Sequence, residues 1–443
     1  MSLQLAKTKA EQAIGEQFAK ISASLPGSKA VAEARQKAIG TFTSLGLPHR
    51  RIEEWKYTDL RALLKEAYAP AVSSDDGLSA DDITAALGPL ANIAGPRMVF
   101  VNGTYRADLS NTGEAAGTGE AAGLTVTALK DSIDELKTAE LKRLQLSNSD
   151  AVIALNSAFM SDGAVVTLAD DVVLERPLLL VFARAGADDK AITTRNVINI
   201  GKNAHVSLLE ADIALGKAGN GQSNNLNQIT LGDGAKLAHI KVTRDGKAST
   251  HLSTSIAEIG ANATYNAFQM TLDTKLARHN LFVTFEGEGS RIDLSGVFLG
   301  RGAEHIDTTL VVDHAVPQCT SRELYKGVLD DSARGIFQGK VIVQRDAQKS
   351  DGKEMAQALM LSDSCEFDSK PELEIFADDV VCGHGSTSAQ LDEDLMFYCR
   401  SRGIPQDQAR ALIIESFIGE ALEQIEHEDT RAALRGLAQN WLG

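Results

Sequence analysis

One Cys-x-His pair, Cys382 and His384, offers the clearest metal chemistry in this 443-residue sequence. Residues two apart on a β-strand point to the same face, so an extended Val380–His384 segment would place the thiol and the imidazole side by side. Thiolate and imidazole groups suit zinc, copper and iron–sulfur centres. Such centres usually take four ligands, so the pair predicts at most half of a metal site.

The glycines that flank the histidine, Gly383 and Gly385, favour a functional role for the pair. Glycine lets a ligand or another backbone approach closely. On composition alone, a purely structural role for Cys382 and His384 stays open. The other cysteines are expected to be small, buried hydrophobic side chains, namely Cys319, Cys365 and Cys399.

Composition indicates a large globular protein, with 43% hydrophobic residues and a net charge of −16. This negative charge disfavours nucleic acid and anionic membranes as partners. No run approaches the roughly 18 apolar residues of a membrane helix. The first residues lack the apolar core of a signal peptide, and the four cysteines are too few for a secreted disulfide framework. We therefore expect a cytoplasmic protein.

Several common catalytic motifs are missing from the sequence. It contains no Gly-x-x-x-x-Gly-Lys-Ser/Thr loop, no Gly-x-Ser-x-Gly elbow, no His-Glu-x-x-His and no Cys-x-x-Cys. The sequence therefore predicts neither ATP hydrolysis by a phosphate-binding loop nor a hydrolase of these types.

The first 150 residues read mainly as helices, predicted at 5–22, 28–45, 81–88 and 129–145. Thr58 is predicted to cap a further short helix with Leu60, Leu63 and Leu64 on one face. Trp55 and Tyr57 are predicted to be core aromatics. Met98–Val101 followed by Asn-Gly predicts a β-hairpin. The duplicated TGEAAG at 112–123 predicts a surface loop.

From about residue 150 the pattern changes to short strands separated by similar turns. Four turns share a form that begins with glycine, at Gly201, Gly232, Gly260 and Gly287, spaced 31, 28 and 27 residues apart. Short strands with this period and no intervening helices predict a β-solenoid. A β-sandwich with similar turns is the alternative. Strands are also predicted at Ile336–Gln344 and Leu373–Val381.

The histidines of this region are expected to be structural. His305 and His314 are nine residues apart and would face opposite ways on one strand, which argues against a shared site. Surface or coil-stacking positions are expected for the other four, His205, His239, His251 and His279.

After Gly403 the pattern is helical again, with Ala409, Leu412, Ile413 and Phe417 predicted on one apolar face, which the solenoid need not cover fully. The sequence thus predicts three regions. Residues 1–150 form a helical domain with a small hairpin, 151–403 a β-solenoid, and 404–443 a second helical domain.

Long stretches of the sequence resemble the SufB/SufD family, core components of the SUF iron–sulfur cluster assembly system. The densest resemblance covers Ser321–Asp363, Lys370–Gly385 and Met396–Ile404. Ala154–Gly163 also fits, and RIEEWKYTDL near the N-terminus is most similar to SufD-type chains. CGHGST departs from the usual Cys-Ser-His-Gly-Ala-Thr but keeps Cys382 and His384.

The resemblance implies a right-handed parallel β-helix between helical domains. It implies a non-catalytic scaffold subunit that pairs with a SufB-like chain, while a SufC ATPase binds the C-terminal helical domain. It also implies that His384, with Cys382 beside it, lies at the SufB interface and helps to hold a nascent cluster. The isolated chain would then bind no cofactor tightly and could form a homodimer. A β-helix enzyme acting on polysaccharides, and an inert interaction protein, are the alternatives.

Overall fold

The structure, a computed structural model, describes residues 6–71, 77–112, 123–135, 150–216 and 218–443. The helices of this part are α1 (Lys9–Ile21), α2 (Lys29–Leu45), α3 (Leu60–Leu63), α4 (Ala80–Leu87), α5 (Leu129–Ser132), α6 (Ala151–Phe159), α7 (Glu393–Ser401), α8 (Gln406–Leu422) and α9 (Glu428–Leu442). Strands β1 to β9 are Arg97–Val101, Thr104–Tyr105, Leu124–Ala128, Ala164–Leu168, Leu178–Arg184, Lys190–Ile200, His205–Ala214, Gly221–Leu231 and Lys236–Arg244. Strands β10 to β19 are Gly246–Ile259, Thr264–Thr271, Thr274–Phe285, Arg291–Gly300, His305–His314, Thr320–Leu329, Arg334–Val343, Asp351–Met360, Glu366–Ile375 and Val381–Ala389.

The strands form a β-solenoid of about 8 turns, which confirms the predicted fold. One sheet has the order β19-β17-β15-β13-β11-β9-β7-β5-β1-β2, and the other has the order β18-β16-β14-β12-β10-β8-β6-β4-β3. Each coil therefore adds one strand to each sheet. From β4 to β19 all pairs are parallel, with each strand stacked on the strand two places earlier. A β-sandwich with antiparallel pairing is excluded.

The four glycine turns precede four consecutive strands of the 10-stranded sheet, β7, β9, β11 and β13. The third residue of each turn has a left-handed backbone, with φ of 52° at Asn203, 72° at Gly234, 53° at Asn262 and 73° at Gly289. Asparagine and glycine are the residues that tolerate this conformation best. The repeat seen in the sequence is therefore the corner at which each coil turns.

Alternate residues of each strand fill the solenoid. In the 10-stranded sheet Leu208, Leu237, Tyr265 and Leu294 contribute to this inner core. The residues between them face outward, and those of the middle coils pack against the C-terminal helices. This alternation fixes which side chains of every later strand point into the solenoid, because the coils are stacked in register.

The N-terminal region packs as a helical layer on the solenoid and also extends its sheets. Helices α1, α2 and α6 share an apolar cluster in which the Phe18 and Phe159 rings are 5.6 Å apart. The hairpin β1–β2 occurs as predicted, and β1 pairs in parallel with β5. Strand β3 pairs antiparallel with β4.

The segment around Trp55 anchors this layer to the solenoid. Trp55 is buried as predicted, whereas Tyr57 is only half-buried. The predicted cap at Thr58 is wrong, because Asp59 caps α3 and accepts the Ala62 N–H, while the Thr58 hydroxyl donates to buried Asp307. The Thr58 side chain therefore makes a tertiary hydrogen bond to Asp307 instead of the local helix cap that its residue type favours.

Helices α8 and α9 cover the outer face of the 10-stranded sheet and bury Ile414, Ile418, Leu434 and Trp441 there. The apolar face predicted for α8 is only partly covered, as expected. Ala409 is buried, whereas Leu412 is exposed and Ile413 and Phe417 are half-buried. Helix α7 buries none of its residues.

Three further predictions need correction or fall partly outside the described residues. Leu373–Val381 is not one strand, because β18 ends at Ile375 and β19 begins at Val381, with a loop between them. The duplicated TGEAAG lies outside the described residues apart from its ends. Of the predicted helix 129–145, the structure describes α5 and a following 3-10 turn at Ile133–Glu135. In the described residues, no helix is long and apolar enough to cross a membrane.

Candidate functional site

Cys382 and His384 lie on β19, the last strand of the 10-stranded sheet. The strand is extended, so the two side chains share a face, as predicted. In the parallel register with β17, Cys382 is opposite Gly352 and His384 is opposite Glu354. Among the described strands β19 pairs only with β17, so its other edge is unpaired.

The Cys382 thiol points into the end of the solenoid. A Cβ atom placed on Gly352 would lie 3.7 Å from the Cys382 Sγ and 3.4 Å from the Ser321 Oγ. The thiol also packs against the small apolar cluster of Val341 and Val343. Burial raises the pKa of Cys382, so the isolated chain favours the neutral thiol. His384, one pleat further along, is exposed.

Two glutamates occupy the inward positions that lead to His384. Glu323 on β15 is opposite Glu354 on β17, and Glu354 is opposite His384. Both glutamates are 3% exposed, and none of their four carboxylate oxygens has a hydrogen-bond partner. Burial raises the pKa of Glu323 to about 8, against a smaller opposing effect of Ser321, and the pKa of Glu354 likewise to about 8 with a contribution from Glu372.

An acid several coils earlier shows the contrasting arrangement. Buried Glu210 accepts from the Lys241 ammonium at 2.9 Å and lies 2.9 Å from His239 Nε2. Burial alone would raise the pKa of Glu210, but Lys241 and His239 outweigh it and hold the pKa well below its usual range. The solenoid thus compensates this internal acid with cations and leaves Glu323 and Glu354 without them.

A groove of about 660 Å³ lies on the outer face of the same strands, beside the C-terminal part of α8. Outward-facing Asp293, Lys353 and Met355 contribute to its wall, and Cys382–Gly385 border it. Because side chains alternate along β19, those of Cys382 and His384 point to the opposite face, into the open end of the solenoid. The backbone with its two glycines is therefore accessible from the groove side.

The remaining cysteines and histidines are structural, with one surprise. Cys319 and Cys365 are buried as predicted, while Cys399 is only half-buried. His305 and His314 face opposite ways, since His305 contacts Thr58 outside and His314 packs on Phe285 inside. Three histidines, His239, His251 and His279, are unexpectedly buried inside the solenoid, where each contacts an ionisable or hydroxyl group. The sequence had predicted surface or coil-stacking positions for them.

Within the described residues, no three His, Cys, Asp or Glu side chains are grouped so that they could hold a metal ion. Cys382 and His384 therefore remain two potential ligands at an open end. The surroundings of that end are apolar and exposed, with Phe376 and Val381 each 60% exposed and Phe397 of α7 75% exposed. Exposed large apolar side chains grouped at an unpaired sheet edge are typical of an interaction surface.

Fold and site together define a β-solenoid protein that presents a thiol and an imidazole on its terminal strand, which has one unpaired edge. The chain belongs to the SufBD family of the SUF system of iron–sulfur cluster assembly. The family model described as the SufBD core domain matches residues 182–417, and that of the SufBD N-terminal region matches residues 11–180.

Individual relatives agree with the family. An iron–sulfur cluster assembly SufBD family protein of Synechocystis is 32% identical over 419 residues, 90% of this chain and 89% of the relative. The iron–sulfur cluster assembly protein SufD of Escherichia coli is 27% identical over 91% of this chain and 90% of its own length. The iron–sulfur cluster assembly protein SufD of Bacillus subtilis is 24% identical over 70% of this chain and 71% of its own length. These relatives favour the assembly function, and none of them is a polysaccharide-active enzyme.

Proposed function

We propose that this chain is the SufD-like scaffold subunit of an iron–sulfur assembly complex, in which a SufB-like chain docks on the open end of the solenoid. His384 supplies an imidazole ligand to a nascent cluster shared between the two chains. The cluster is the cargo of the complex, and a separate SufC ATPase supplies ATP hydrolysis.

The observation that carries this proposal is the position of Cys382 and His384 on a strand with one free edge. A cluster needs more ligands than this pair provides, and the described part of the chain groups no third one with them. A partner strand added along β19 would bring its side chains to the same face by the alternation of the sheet. The missing ligands then come from the partner.

The exposed apolar residues supply the adhesive part of the proposed interface. Val381 is the first residue of β19, which carries the pair, Phe376 directly follows β18, and Phe397 lies on α7, the helix that follows β19. Burying such side chains contributes roughly 1.5–3 kcal/mol each. The imidazole itself is suited to a transient site, because histidine replaces cysteine as an iron ligand in some clusters and makes the ligand set less symmetric.

The proposal for SufC rests on the family and on exposed surface of the C-terminal helices. The inner faces of α8 and α9 are covered by the solenoid. Docking would therefore use outward residues such as Leu412, which is 51% exposed.

The test is a His384→Ala substitution in the chain co-expressed anaerobically with SufB-like and SufC partners. The complex should still form and melt at the wild-type temperature, because His384 is exposed, but its iron and sulfide content should fall several-fold. Cys382→Ala should have a smaller effect. Ser388→Ala, at an exposed inward position of the same strand, is the matched control and should change neither quantity.

Normal iron and sulfide in the His384→Ala complex would refute the ligand role. A lowered melting temperature with normal iron would assign the histidine a structural role instead.

A further inference from the structure

We propose that Glu323 and Glu354 form a carboxylate site for one divalent cation inside the last coils, directly behind His384. The identification of that cation as ferrous iron, held before it reaches the cluster ligands, rests on the proposed function. The site itself follows from the side chains of this chain.

The two carboxyl groups are placed to share one ion. They occupy directly opposed positions on β15 and β17, whose backbones are about 4.8 Å apart in a parallel sheet. Both side chains point into the solenoid and are 3% exposed. Opposed inward residues at this spacing can ligate a single cation from neighbouring strands.

The carboxylate oxygens lack a well-placed partner in the described chain, and the one side chain that favours a charged Glu323 by hydrogen bonding is Ser321, whose effect is smaller than that of burial. All four are buried without a hydrogen bond, and neither glutamate takes part in an ion pair among the described residues. The nearby hydroxyl of Ser321 lies 3.1 Å from His314 Nε2. Buried polar groups without partners are costly and rare, and they point to a bound ligand or a functional role.

Several other buried acids, inside the solenoid or on its covered outer face, are matched to cations from the chain itself. Asp307 is 2.5 Å from the Arg278 guanidinium, and Asp245 is 3.0 Å from that of Arg184. Glu210 has Lys241. Glu323 and Glu354 have no such cation among the described residues, so a metal cation from solution can take that place.

The backbone opposite Glu354 is shaped around its carboxyl group. A Cβ atom on Gly339 of the facing sheet would lie 2.3 Å from the Glu354 carboxyl carbon. Glycine at this position lets the carboxylate reach across the interior, and any other side chain would displace it. Gly339 thus leaves room for the carboxyl group of Glu354 inside the solenoid.

The chemistry favours a hard or borderline divalent cation. Carboxylate oxygens together with water suit Mg²⁺ and Mn²⁺, while imidazole suits iron and zinc. Glu354 is the register neighbour of His384 on the last strand. A cation bound to the two glutamates is therefore one strand away from His384 at the open end of the solenoid. From there it can pass to the histidine.

The experiment measures Mn²⁺ binding to the isolated full-length chain by electron paramagnetic resonance titration and calorimetry. Wild type should bind one Mn²⁺ at this site. Glu323→Gln/Glu354→Gln keeps the side-chain size and should weaken binding at least about tenfold. Asp378→Asn/Asp379→Asn removes two exposed acids from the loop before β19 and should bind Mn²⁺ as wild type does.

Three results would overturn the site: no Mn²⁺ binding by wild type, unchanged binding by the glutamine double variant, or an equal loss in the loop variant. Glu354→Gln alone serves as a second variant if the double variant does not fold, and it should also lose affinity. Because no partner chain or cluster is present, the result is independent of the His384→Ala test of the proposed function.

Discussion

Arg278 shows how one side chain can fix the orientation of a whole region. It is 1% exposed, its guanidinium carbon lies 3.8 Å above the centre of the Trp55 ring, and it donates to the Glu54 carbonyl at 2.7 Å. The same group pairs with Asp307, which also accepts from the Thr58 hydroxyl. The RIEEWKYTDL segment is thus held by a buried cation of the solenoid.

Arg278→Met should destabilise the protein by about 3–5 kcal/mol, because it leaves the Asp307 carboxylate buried without its cation. Urea unfolding followed by circular dichroism measures the loss. Lys340→Met breaks the surface pair with Glu374 and should cost no more than about 1 kcal/mol. Equal losses in the two variants would contradict this account of the anchor.

The sequence predicted that Cys382 and His384 share a face, because strand alternation is a local rule. It did not reveal Glu323 and Glu354, since their relation to His384 depends on coil register rather than on a motif. The signal was present in the turn spacing of 27 to 31 residues. Moving one coil on from Glu323 reaches Glu354, and a further coil reaches His384.

At the scale of elements, the turns were the most predictable feature, because each needs a small residue and a left-handed corner that only a few residue types allow. Which residues of α8 are buried was less predictable. The helix contacts strands far away in the sequence, such as β15, whose Lys326 pairs with Glu420, so the helical period alone did not determine which face of the helix meets the sheet.

Removal of residues 405–443 should prevent the solenoid from folding as a stable unit. These residues carry Ile414, Ile418, Leu434 and Trp441, which cover Val242, Phe268 and Val297 of the outer sheet face. Expression yield and circular dichroism of the truncated chain test this. Leu412→Asp changes only an exposed position of α8 and should remain folded; a well-folded truncated chain would contradict the prediction.

Acid should destabilise the protein through its buried histidines. Burial lowers the pKa of His305 and His314 to about 4 and that of His279 well below its usual value. Each binds a proton less well in the folded than in the unfolded state, whose pKa is about 6.5. Their stabilising effect is therefore present above pH 6.5 and is lost as the pH falls towards 4.

We expect the free energy of unfolding to fall by on the order of 1 kcal/mol per histidine between pH 7 and pH 5. Urea midpoints of wild type and His314→Gln at both pH values separate this effect from carboxylate titration. The difference between the two proteins should change with pH, and a constant difference would remove His314 from the explanation.

At the scale of the whole molecule, the two ends of the solenoid differ. The first coils are covered by α1, α2 and α6, whereas β18 and β19 are mostly exposed or half-buried. The described part of the chain has no element that closes this end, and its free strand edge lies beside Phe376 and Val381. This asymmetry makes one end the natural place of association.

Without its partner the chain should form a homodimer through this end, because a two-fold arrangement lets one edge pair with its own copy. Sedimentation at micromolar concentration should show a dimer that Phe376→Ser/Phe397→Ser shifts towards monomer. Leu45→Ser, an exposed apolar position on α2, is the control and should leave the dimer unchanged. A wild-type monomer would refute the homodimer while leaving association with a SufB-like chain untested.

The stacking of coils also has a kinetic consequence. An interior coil is held by hydrogen bonds to neighbours on both sides, but the coil of β18 and β19 has one neighbour only. In such a one-dimensional array the terminal unit opens most easily, and its opening does not require that of the units behind it. We therefore expect the backbone amides of the segment that carries Cys382 and His384 to exchange with solvent faster than those of the interior coils. A docked partner strand would slow that exchange. The exchange rate of the amides in this coil would then report whether the complex is assembled.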